Sequence, residues 1–180
     1  ISILGPPTSR FVEIGCGSTG GNAAFLAYEC GWGGLMVDSS PLGVERARHL
    51  FAHNPEVEVI ENLVTAENVN NMLGDHNVPN EVDLFSIDID SYDFWLLESL
   101  DFGICSPRIL ALEYNPYFGP TRRVTIPNNG LRPDAPKGYH GASLGAMEKL
   151  AGEKGYRLVA CEDLGSNAFF LRNDLAPPVP

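Results

Sequence analysis

The string Glu13-Ile14-Gly15-Cys16-Gly17-Ser18-Thr19-Gly20-Gly21 constrains the fold more than any other part of the chain. It follows a short apolar run, Phe11-Val12-Glu13-Ile14, and precedes a stretch of helical spacing in which Ala23, Ala24, Leu26 and Ala27 form a small-residue face. Glycines between a strand and a helix let the backbone take positive φ and approach a ligand closely. In open α/β sheets such a turn lies beyond the carboxyl ends of the strands, where ligands bind.

The rest of the chain repeats that rhythm. Strands are expected at residues 34–38, 57–60, 82–88 and 109–114. Helices are expected after Pro41, at residues 66–73 and at residues 92–100. Ser143 can cap a further helix carrying Met147, Leu150 and Ala151. Residues 156–161 and 168–171 follow, joined by a turn around Gly165-Ser166-Asn167, so they are expected to pair antiparallel. Together these elements predict a doubly wound, mostly parallel seven-stranded sheet with an antiparallel last strand, layered α/β/α. The whole chain, 1–180, is expected to form one domain with a long loop at 115–141.

Gly15-x-Gly17-x-x-Gly20 also fits the dinucleotide fingerprint, so the glycines alone do not choose a ligand. Glu13 tilts the choice: a carboxylate two residues ahead of the first glycine suits an ammonium and repels a pyrophosphate. Asp38 ends the second strand, where an acid accepts hydrogen bonds from ribose hydroxyls of either cofactor.

With 12 Lys and Arg against 23 Asp and Glu, the net charge is −11, which disfavours a nucleic-acid partner. The only close basic cluster is Arg122, Arg123 and Arg132. No apolar run approaches the roughly 20 residues of a membrane helix, and no signal peptide is visible. Cys16, Cys30, Cys105 and Cys161 form no CxxC pair and are expected to be buried and reduced, as in a cytoplasmic protein. The chain opens on Ile1 rather than methionine, which leaves open whether an N-terminal segment is missing. Exposed sheet edges leave a homodimer open.

E-I-G-C-G-S-T-G, L-M-V-D, F-S-I-D-I-D and S-P-R-I-L-A-L-E-Y-N together resemble the FkbM-like group of class I methyltransferases. The resemblance runs from about Phe11 to Leu171. It implies the class I methyltransferase fold, S-adenosyl-L-methionine as cofactor, and O-methylation of a sugar or natural product. By position it implies that Glu13, Gly15, Cys16, Gly17, Asp38, Ser39 and Asp88 bind the cofactor, with Asn62 or Thr65 near the adenine. Asp88 and Asp90 would stand beside the transferring methyl. The chain departs from the group in its short N-terminus and in Ser91, where glycine is usual.

A hydroxyl nucleophile benefits from a base, and the candidates are Asp88, Asp90, Glu113 and, in the long loop, His140. If Asp88-Ile89-Asp90 is extended, both carboxylates fall on one side. They could then share a proton, or hold a divalent cation with Asn115; one of them could instead cap the next helix. No metal-ligand set is assigned. Tyr117 and Phe118 are candidates for an acceptor pocket, and Trp32 and Trp95 for packing. The expected partner is a small-molecule acceptor. The competing readings are a non-catalytic domain of the same fold and a nicotinamide-dependent oxidoreductase, although no Tyr-x-x-x-Lys pair falls on a plausible helix.

Overall fold

The computed structural model describes residues 7–119, 121–128, 139–163 and 166–175. Arg132, Gly165 and the proline-rich end at 177–180 lie outside the described residues.

Seven strands form one sheet: β1 (Arg10–Ile14), β2 (Gly33–Asp38), β3 (Val57–Glu61), β4 (Leu84–Ile87), β5 (Ile109–Glu113), β6 (Tyr156–Cys161) and β7 (Asn167–Arg172). Their order is β3-β2-β1-β4-β5-β7-β6. The first five are parallel, and β7 runs antiparallel to both β5 and β6. The expected mixed sheet is therefore observed. Strand order reverses between β1 and β4, so their carboxyl ends flank a switch point, where a ligand crevice forms in this architecture.

Side-chain alternation along each strand assigns the two faces. Val12 and Ile14, with Val37, Phe85 and Ile87, pack against α3 (Val69–Asp75), α4 (Asp93–Ser99) and α5 (Leu144–Glu153). Phe11 and Met36, with Leu84 and Ala111, pack against α1 (Ala24–Tyr28) and α2 (Pro41–Leu50). Glu13 is in register with Met36 and Ser86, so its carboxylate points into the α1 layer.

Several elements are shorter than the spacing predicts. The expected helix after the glycine turn is a 3-10 turn, Gly21–Ala23, running into a five-residue α1. β4 stops at Ile87, so Asp88 lies just past the strand rather than in it. At the foot of the long loop, Pro116–Phe118 forms a 3-10 turn and Thr125 bridges Ala142 antiparallel. Ser40 and Ser143 cap α2 and α5 by accepting the amides of Gly43 and Ala146. All four cysteines are free; Cys16 and Cys105 are buried, whereas Cys30 and Cys161 are exposed, against the expectation that all would be buried. Among the described residues no helix is long and apolar enough to cross a membrane.

Candidate functional site

A crevice of about 770 Å³ opens at the carboxyl ends of β1, β2 and β4. The glycine turn forms its floor through Gly15, Cys16 and Gly17. Gly15 sits at φ 92°, and a Cβ there would overlap the carbonyl oxygen of Asp88, just past the end of β4. Only glycine permits that approach between the two loops.

Asp38 and Ser39 form one wall. The Asp38 carboxylate accepts the amides of Gly17 and Ser40, each at 2.7 Å. It thereby ties the glycine turn to the end of β2. Each carboxylate oxygen retains a further lone pair for a hydroxyl donor. Asn62 and Thr65, in the segment after β3, also line the crevice.

Glu13 lies deeper than its place in the sequence suggests. It is fully buried beneath the turn and is not among the lining residues. The Ala23 amide donates to its Oε2 at 2.9 Å, while Oε1 has no partner among the described residues. Burial pushes its pKa up to about 8; bonds from Ser86 and from the Ala23 and Asn22 backbone offset only part of that. Gly21, a lining residue without a side chain, packs directly against that oxygen.

The far end is built from the segment after β4. Asp88, Ile89, Asp90, Ser91 and Tyr92 line it, with Trp95 and Leu96 from α4 and Asn128 from the long loop. The extended geometry expected for Asp88-Ile89-Asp90 is not found: Asp90 is left-handed, at φ 62°. Its carboxylate still converges with those of Asp88 and Glu113, with one oxygen from each within 4.8 Å of the others. Glu113 holds the Asp90 amide at 3.0 Å. Burial, then repulsion by Asp93, Asp88 and Asp90, raises the Glu113 pKa to about 8; burial and Asp90 raise that of Asp88.

Neither Asp88 nor Asp90 caps α4. That end is served by Asp93, a residue the spacing does not single out. Asp93 is fully buried and accepts the amides of Ile89 and Ser91, at 2.9 and 3.2 Å. Burial pushes its pKa up to about 7. Trp95 does more than pack: its indole donates to the Ile126 carbonyl at 2.9 Å. Asn115 holds the His140 carbonyl at 2.9 Å and Gly141 donates to the Ser91 carbonyl at 3.0 Å, so both feet of the long loop are tied to this rim. The His140 side chain does not line the crevice, nor does Tyr117, which is 84% exposed.

No protein-family profile and no curated protein matches the chain. Solved structures do. The S-adenosylhomocysteine-bound methyltransferase PaMTH1 of Podospora anserina superposes with a TM-score of 0.58 at 20% identity, over 91% of this chain and 71% of that one. The O-methyltransferase NcsB1 of neocarzinostatin biosynthesis, in complex with S-adenosylmethionine and 2-hydroxy-5-methyl naphthoic acid, gives 0.55 at 14% identity, over 91% and 49%. The pyocyanin biosynthetic protein PhzM gives 0.51 at 18%, over 91% and 50%. The fold is that of the class I methyltransferases. The chain spans about half the length of NcsB1 and PhzM. At such identities the likeness is one of fold.

Proposed function

We propose that the crevice binds S-adenosyl-L-methionine and that the chain transfers its methyl group to a hydroxyl of a small molecule, a sugar or natural product. The observation that carries this reading is Glu13: a buried acid with an unpaired oxygen, packed directly against Gly21 of the crevice lining. An ammonium lodged against Gly21 would give that oxygen a charged partner. Asp38, at the opposite wall, suits a ribose diol, and Asn62 and Thr65 offer polar groups for an adenine edge. The small-molecule acceptor is consistent with the ligand of NcsB1 and with the acidic character of the chain.

When bound, the cofactor supplies an electrophilic methyl whose sulfur leaves with the bonding electron pair. The residues of the chain then have three tasks. The glycine turn and Asp38 fix the position of the methyl, and alignment supplies most of the rate in such a displacement. Asp88 and Asp90 hold the acceptor hydroxyl and take its proton as the new C–O bond forms. Ile89, Tyr92 and Trp95 exclude water from the reacting centre. Glu113 holds the Asp90 amide from outside the lining.

Incubation with S-adenosylmethionine and a panel of sugars and phenols tests the reading through S-adenosylhomocysteine release. Turnover with at least one hydroxyl acceptor, reduced about 100-fold by Asp88→Asn, is the expected result. Turnover with amine acceptors alone would overturn the hydroxyl assignment.

A further inference from the structure

Four consecutive amides at the far end of the crevice are each spoken for. Asp88 donates to the Ile14 carbonyl at 2.9 Å. Ile89 and Ser91 donate to the two oxygens of Asp93, and Asp90 donates to Glu113. The two acids that hold this segment's amides, Asp93 and Glu113, are absent from the crevice lining, whereas Asp88 and Asp90 belong to it.

Asp93 is an unusual helix-terminal acid. A capping residue sits just outside the helix and accepts amides from its first turn. Asp93 lies inside the first turn of α4 and reaches backward, to the residues four and two positions upstream. It is also fully buried, which makes its ionised form costly. A neighbouring residue in left-handed backbone, Asp90, persists only where its surroundings hold it. On the opposite side, Gly141 binds the Ser91 carbonyl and completes the enclosure.

We infer that Asp93 is a positioning residue: through the amides of Ile89 and Ser91 it locks the Asp88–Tyr92 segment in the one conformation that presents the Asp88 and Asp90 carboxylates to the crevice. Glu113 supports it from β5 through the Asp90 amide. Neither touches ligand. The link to ligand binding rests on the reading of the crevice as a cofactor site.

Residue-resolved amide exchange on the full chain, with S-adenosylhomocysteine affinity measured alongside, provides the test. Asp93→Ala is expected to speed exchange at Ile89 and Ser91 by about ten-fold or more, the equivalent of one lost hydrogen bond. Exchange in β1 and β5 should not change. Asp93→Asn, with one oxygen left, should restore protection at one of the two amides and not at the other. Glu113→Gln, which keeps an acceptor, should leave the Asp90 amide protected. S-adenosylhomocysteine should bind Asp93→Ala about ten-fold more weakly, with partial recovery in Asp93→Asn. Wild-type exchange at Ile89 and Ser91 in the alanine variant would overturn the inference. Should that variant not fold, wild-type exchange at both amides of the asparagine variant overturns it equally. If the ligand binds no form of the protein, the cofactor reading fails, and the exchange rates still decide the role of Asp93. Loosened amides with unchanged ligand affinity would overturn the claim that this segment shapes the site.

Discussion

The Glu13 carboxylate lies directly behind Gly21, so closely that a Cβ on Gly21 would overlap Oε1. The acid is buried, and its Oε1 has no partner among the described residues. Glu13→Gln matches the uncharged form favoured by burial and should fold normally. It cannot ionise to meet an ammonium, so S-adenosylhomocysteine should bind at least about ten-fold more weakly. Calorimetry against the wild type checks this.

The same burial sets the pH dependence of stability. The folded-state pKa values of Glu13 and Glu113, about 8, and of Asp93, about 7, lie above their ordinary values of 4.5 and 3.8. Raised carboxyl values mean that the folded state prefers the protonated form. Their contribution is full below the ordinary values and is lost as pH rises through 7 and 8. Urea midpoints without ligand should therefore fall from pH 5.5 to 8.5, and fall less in Glu13→Gln. A midpoint that climbs over that range would contradict the burial of these acids.

Asp38→Ala removes the acceptor for two short amide bonds as well as the expected partner of a ribose. Stability should drop by about 1–3 kcal/mol, and ligand affinity by more than that loss of order explains. Chemical denaturation and calorimetry on one preparation separate the two effects.

Gly15→Ala tests the contact between the first and fourth strand ends. Positive φ and overlap with the Asp88 carbonyl act together, so about 2–4 kcal/mol of destabilisation is expected. Gly74→Ala, in α3 with open space at the Cβ position, should be neutral or better in the same unfolding assay.

What the sequence made legible was whatever local spacing encodes. Glycines between an apolar run and a helical stretch mark the turn, and acids following the apolar runs of β2 and β4 mark Asp38 and Asp88. The depth of Glu13 follows from strand alternation: between Val12 and Ile14, it faces the α1 layer rather than the strand tips. Asp93 was hidden for a different reason. Its partners are backbone amides upstream, in a segment whose left-handed turn no residue type announces. Trp95 was read as packing because aromatic content carries no sign of a carbonyl across the loop. The Asp88 and Asp90 carboxylates converge through the left-handed turn at Asp90 rather than through an extended chain.

The most direct test of the account is a calorimetric titration of the wild-type chain with S-adenosylmethionine, S-adenosylhomocysteine and NAD. The account predicts one site with about micromolar affinity for the first two and no heat with the third. A folded protein that binds neither sulfur ligand at millimolar concentration, or that binds NAD, would contradict it.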